Sequence, residues 1–168
     1  GERPTSVLIP RDSIAAYTSP KGLSFDPAAA RALLAEAGYP DGKGMLAVEI
    51  LYNKDAGHDV IAQAAARDWQ EHLNVRVILA QKEIKVFRQD LKNHNFMISR
   101  AGWYGDYGDP TTFLEINRTG DGNNDRDYSS RRFDSLLDLA GRETDSARRM
   151  AHLTEAERVL VEEDLPLI

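Results

Sequence analysis

Residues 46–80 read LAVEILYNKDAGHDVIAQAAARDWQEHLNVRVILA, and this stretch decides the fold class. Leu46, Val48, Ile50 and Tyr52 fall on one side of an extended chain, the period-two pattern of a strand. Residues 58–73 then place Ile61, Ala65, Trp69 and Leu73 four apart, along one side of a helix. Val75 to Ala80 alternates again. Strand, helix and strand joined by short links predict a right-handed βαβ unit.

The flanking sequence extends this pattern. Upstream, residues 1–25 carry Pro4, Pro10, Pro20 and Gly22 with few periodic apolar residues, which predicts an extended, loop-rich entry. Asp26-Pro27 supplies an N-cap and a first-turn proline, Leu33 and Leu34 an apolar stripe, and Gly38 a C′ glycine. Pro40-Asp41-Gly42 then turns the chain. Downstream, a helix over about 83–92 has Ile84, Phe87 and Leu91 on one stripe and leads into a strand from Phe96 to Ser99. Two more helices are expected, one from about Ser130 with Phe133, Leu136 and Leu137, the other with Met150, Leu153, Ala156 and Leu160. The sum is an α/β domain.

Composition narrows the function classes. The chain has 168 residues, 42% hydrophobic and 29% charged, and is expected to form one domain rather than two large ones. A net charge of −6 and the lack of a basic stripe disfavour nucleic acid. With no cysteine, disulfides, thiolate catalysis and cysteine-ligated zinc are all excluded. No apolar run is long enough to span a bilayer. Gly1-Glu2-Arg3-Pro4 does not read as a signal peptide, and Leu165-Pro166-Leu167-Ile168 reads as the first half of a buried strand. Both ends are therefore expected to be cuts within a longer chain.

Ser99 to Leu114, SRAGWYGDYGDPTTFL, concentrates the chemistry. Glycines admit a close backbone approach, aromatics bury large area at low entropic cost, and a carboxylate beside them can hold an ammonium group. The same residues also fit a structural Ω-loop in which Trp103 is core and Asp106 and Asp109 merely fix turns. Arg100 has a forked guanidinium suited to a carboxylate, or to an ordinary surface salt bridge. His58 stands just before a helix, either as a ligand contact or as a solvent-facing residue.

Enzymatic and metal chemistry find little support. His58, His72, His94 and His152 are scattered, without H-E-x-x-H or comparable spacing, so neither a metal nor another cofactor is expected. Asp121 to Arg132 fails the EF-hand pattern twice, with Arg126 at the sixth position and Arg132 at the twelfth. That segment is expected to be a polar loop at the mouth of a cleft. Asp106 and Asp109 lie in one turn, not across a substrate-spanning gap, and no G-x-S-x-G or P-loop is present. The chain is expected not to be an enzyme.

The order of signatures along nearly the whole chain resembles the second, C-terminal lobe of the oligopeptide and dipeptide solute-binding proteins of ABC importers, family 5. The residues that carry it are Arg3-Pro4-Thr5, Asp26-Pro27 to Ala35-Glu36-Ala37-Gly38-Tyr39, Ile50-Leu51-Tyr52-Asn53, Trp69, Leu73 to Val77, and Gln81 to Phe87. Ala101-Gly102-Trp103, Asp106-Tyr107, Asp109-Pro110 and Phe113-Leu114 complete the series. The resemblance implies a periplasmic-binding-protein-like lobe, a mixed sheet flanked by helices and βαβ units, with residues 1–168 as a single α/β domain truncated at both ends.

It also implies a role for each site residue. An Asp three residues after the Trp pairs with the N-terminal ammonium of a peptide, here Asp106. The backbone of Gly102, Trp103 and Tyr104 pairs with the extended peptide as an added strand, a mode indifferent to side-chain identity. His58 and Arg100 correspond by motif position to residues that meet the carboxyl end in some members. The implied partners are a short peptide and the permease subunits of the importer, with a monomeric protein in the periplasm or outside the cell and a lipid anchor as an option for the full-length protein. Alternatives within the resemblance are a receptor for a nickel chelate, haem or sugar, and the sensing domain of a transcriptional regulator. Three positions depart from the family pattern: Ile84 stands where many members have Trp, Asn74 replaces a usual Gly, and Tyr104 fills a variable position.

Overall fold

The computed structural model describes residues 4–55 and 57–166. They divide into two compact units, one continuous from Phe25 to Gly102, the other built from residues up to Ser24 together with those from Trp103 on. The sheet and its helices lie in the continuous unit. The other is helical.

In the continuous unit, helix α1 (Pro27–Glu36) begins as the sequence predicts. The Asp26 carboxylate accepts from the backbone N–H groups of Ala28 and Ala29, satisfying two of the donors a helix start leaves open. Gly38 follows the C-cap Ala37 at φ +93°, a left-handed conformation that glycine adopts without a Cβ clash. The expected apolar stripe behaves differently, because Leu33 is exposed and α1 buries no residue.

Strand β1 (Val48–Asn53) pairs in parallel with β2 (Val77–Lys82) and with the two-residue β3 (Ile98–Ser99), in the order β2-β1-β3. Helix α2 (His58–Leu73) joins β1 to β2, and α3 (Ile84–Lys92) joins β2 to β3. The central strand is buried on both faces. Ile50 and Tyr52 pack with Ala62, Ala65, Trp69, Val77, Leu79 and Ile98, while Leu51 packs with Phe87, Leu91, Ala80 and Phe96. This amends the one-sided strand expected from Leu46 onward, since Leu46 is 83% exposed and outside the strand. A central parallel strand needs apolar residues on both faces. β2 likewise starts two residues later than expected, at Val77. Asn74 closes α2 in the left-handed region at φ 54°, which explains how it stands in for a glycine, and its Nδ2 donates to the Asp41 carbonyl.

The second unit is organised by helices α5 (Arg131–Arg142) and α6 (Ser146–Arg158), the latter running into a π-helical turn, Val159–Glu163. Ser130 caps α5, its hydroxyl accepting from Phe133 N–H. Phe133, Leu137, Ala140, Leu153, Ala156, Val159, Leu160 and Val161 form a core with Phe113 and Leu114 of the short helix α4 (Thr111–Leu114). The π turn brings the successive residues Val159, Leu160 and Val161 inside.

Residues 4–24 have no regular element, as expected, yet Ile9 and Ile14 belong to this core. The wholly buried Glu157 holds this arm: Ile9 N–H donates to its Oε1 and Tyr17 Oη–H to its Oε2, both at 2.6 Å. Burial pushes the Glu157 carboxyl above the usual range, against the pull of those two donors. Gly22 N–H donates to Glu162 Oε1 at 2.7 Å further along the arm. At the other end Leu165 has φ 48° and neither it nor Pro166 lies in a strand, so the expected terminal strand does not form there. Its last two residues, 167 and 168, lie outside the described residues.

Candidate functional site

The predicted site residues are shared between the units: His58, Arg100 and Gly102 belong to the continuous unit, and Trp103, Tyr104 and Asp106 to the helical one.

In the continuous unit the relevant place is the carboxyl edge of the parallel sheet, where strand ends and helix starts meet and where open α/β sheets take ligands. His58 is the first residue of α2, and its Nδ1 lies 2.9 Å from Oδ1 of Asn53, the buried last residue of β1. With the amide oxygen as acceptor, Nδ1 carries the proton and Nε2 is left as the nitrogen able to accept. Arg100 extends the β1/β3 ladder by one bond, its N–H donating to Leu51 O at 2.8 Å. Its guanidinium lies beside Gly102, Nη1 being 3.6 Å from where a Cβ on that glycine would sit. No carboxylate pairs with Arg100 among the described residues. The sheet thus presents His58 and Arg100 at the same edge, with Gly102 beside the Arg100 guanidinium.

In the helical unit, residues 103–109 form an open loop that ends on the buried Pro110 and α4. Trp103 is 37% exposed, Tyr107 55% and Tyr104 93%, so the aromatic rings face outward rather than filling a core. The loop is held from below. Asp106 N–H donates to Thr112 Oγ1 at 2.9 Å, and Gly105 sits so close to α4 that a Cβ there would lie 2.9 Å from Phe113 Cζ.

The two aspartates of this loop do different work. The Asp109 carboxylate takes both Arg149 guanidinium nitrogens, at 2.7 and 2.9 Å, and also accepts from the Thr111 N–H and hydroxyl. The Arg149 bonds hold its carboxyl down to about 2, with the Thr111 bonds assisting and partial burial opposing. The Asp106 carboxylate has no hydrogen bond or ion pair among the described residues. Asp109 is a strut, and Asp106 is available.

Sequence reasoning missed Thr112 and Arg149, which fix this division. Arg149 lies forty residues from Asp109 in the chain, and no local signal joins the two.

The 121–127 loop is bonded to the residues that flank it. Asn124 donates from Nδ2 to the carbonyls of Arg118 and Tyr128 and accepts at Oδ1 from Tyr128 N–H, while Arg126 donates to Oδ1 of the buried Asn117. No group of three or more His, Asp or Glu side chains suited to a metal occurs among the described residues. Nor, among them, is any helix long and apolar enough to cross a membrane.

Comparison with known proteins shows the family and the fold. The family description "Bacterial extracellular solute-binding proteins, family 5 Middle" matches residues 1–125. The chain belongs to this family. The periplasmic oligopeptide-binding protein OppA of Escherichia coli (strain K12) is 38% identical over 131 residues, which cover 78% of this chain and 24% of that protein. The crystal structure of a periplasmic oligopeptide-binding protein (OppAIV) from Borrelia burgdorferi superimposes with a TM-score of 0.89 at 35% identity, over 97% of this chain and 33% of that one. Haemophilus influenzae OppA, solved in complex with the peptide RPPGFSPFR, gives a TM-score of 0.85 at 28% identity over 95% of this chain and 33% of that one. The family fold is that of the periplasmic binding proteins, as the sequence led us to expect. The chain spans about a quarter of the length of the curated relatives it matches.

Proposed function

We propose that this chain forms the second lobe of the substrate-binding component of an ABC importer. It captures short peptides by pairing their backbone with Gly102 to Tyr104 and their N-terminal ammonium with Asp106. The observation that carries the reading is the contrast within one loop: Asp109 is saturated by Arg149 and Thr111, while Asp106, among exposed aromatic rings, keeps its carboxylate unpaired. An unengaged carboxylate beside aromatic surface suits an ammonium group taken from water. Arg100 and His58 serve the carboxyl end, His58 as the imidazolium, whose Nδ1 donates to Asn53 while Nε2 donates to the carboxylate. Binding, not catalysis, is the task, in the periplasm or outside the cell, with permease subunits as the partners that receive the cargo.

Receptors of this kind close two lobes over the ligand by a hinge. The 168-residue chain alone is therefore expected to bind short peptides weakly or undetectably by calorimetry. The decisive experiment is Asp106→Asn in the bilobed receptor, titrated with matched peptides carrying free or acetylated N-termini. Loss of a charge-assisted bond in a closed cleft is expected to cost free-amine peptides about 1.5–3 kcal/mol and acetylated ones far less. Equal affinity for both peptide types before and after the change overturns the assignment.

A further inference from the structure

The carboxyl edge of the sheet carries two cations that the reading above does not use. Lys54 follows the last residue of β1, and Lys82 ends β2. The Lys54 N–H donates to the Lys82 carbonyl at 2.8 Å, which fixes the two residues as neighbours on adjoining strands. Together with Gln81, Glu83 and Ile84 they line a notch of about 240 Å³. Both lysines are exposed, and neither ammonium group has an ion-pair partner among the described residues. The one acid in the notch, Glu83, is committed to α3, its Oε2 accepting from Lys85 N–H at 2.9 Å. Its charge offsets one lysine, so the lining keeps a single excess positive charge.

From this lining we propose that the notch is a subsite for one carboxylate of a bound peptide, an inference that rests on the peptide-binding reading. The Lys54 and Lys82 ammonium groups and the Gln81 amide are the N–H donors of the lining, and Ile84 is its apolar residue, suited to the methylenes that carry the acid. The carboxylate comes from a Glu or Asp side chain or from the terminus of a longer peptide. Both sources present the same chemistry to the lysines.

The test is calorimetry on the bilobed receptor at low salt with three peptides: one with a Glu near its carboxyl end, its Gln counterpart, and the Gln peptide amidated at the terminus. The Glu peptide is expected to bind roughly fivefold tighter than Gln if the side chain is the source, and the free acid tighter than the amide by a similar factor if the terminus is. Lys54→Gln combined with Lys82→Gln is expected to erase that difference. No preference in the parent, or a preference that survives the double change, overturns the subsite and leaves the Asp106 assignment standing. Should no peptide bind at all, the peptide reading fails, and acetate titrated against the isotope-labelled chain at constant ionic strength decides the subsite. Saturating amide shifts at Lys54, Gln81 and Lys82 that vanish in the double variant retain a carboxylate site, and their absence in the parent removes it.

Discussion

Arg149 grips Asp109 with both guanidinium nitrogens, Nη1 to Oδ2 at 2.7 Å and Nη2 to Oδ1 at 2.9 Å, tying α6 to the loop that presents Asp106. The depressed Asp109 pKa, about 2, sets the sign of a pH effect. The pair contributes stability in full above the unfolded aspartate value of about 4, and loses it as pH falls from there through 2. Solvent access limits the contribution to about 1 kcal/mol. Arg149→Ala is expected to lower unfolding free energy by about that amount at pH 7 and to flatten the slope between pH 4 and 2, read from urea titrations across pH.

Glu157 fastens the N-terminal arm from inside the core. Glu157→Ala leaves the Ile9 N–H without an acceptor and opens a cavity, and is expected to cost about 3 kcal/mol. Amide exchange at residues 7–17 should accelerate before the rest of the unit. Because burial raises its pKa, the folded state holds the Glu157 proton more tightly than the unfolded chain does. Stability therefore falls as pH rises from about 4.3, the unfolded value, toward the raised folded one. Glu157→Gln, which cannot ionise, removes that part of the slope.

Gly105 is required by space rather than by backbone angle. A methyl group there meets Phe113 at 2.9 Å and Thr112 Cγ2 at 3.1 Å, and Phe113 is buried and cannot swing away. Gly105→Ala is expected to cost about 1–2 kcal/mol by overpacking. Combined with Phe113→Leu, the two losses should sum to less than their separate values in a double-mutant cycle, and full additivity counts against the contact.

Asn53 Oδ1 lies 2.9 Å from His58 Nδ1, where it favours the Nδ1-protonated ring. In Asn53→Ala the imidazole loses its Nδ1 acceptor, and ring nitrogen shifts are expected to move toward the Nε2-protonated form. Unchanged shifts would show that Asn53 does not orient the ring.

What the sequence made legible follows the range of the physics. The start and stop of α1 rest on Asp26, Pro27 and Gly38, whose effects act within one turn, and they appear where expected. The bounds of α2 were equally plain from its four-residue spacing. The two-sided burial of β1 depends on its place between β2 and β3, a tertiary fact that alternation in one strand does not encode. α4 is four residues long and too short to show a period. In the candidate site, the aromatic loop and its two aspartates stood out by composition. Composition did not separate the two aspartates; the family resemblance pointed to Asp106, while the physical difference lies in Arg149, on a helix whose approach the local sequence does not announce.

The Glu157 contact with Ile9 spans 148 residues of chain, whereas the sheet unit is one unbroken run from Phe25 to Gly102. Synthesis therefore delivers the described residues of the sheet unit in one run that ends at residue 102. The arm emerges before that run, and its Glu157 partner on α6 emerges after it. During that interval Ile9 and Ile14 lack the α5 and α6 side chains they pack against. The fastening that makes the helical unit stable also makes it late.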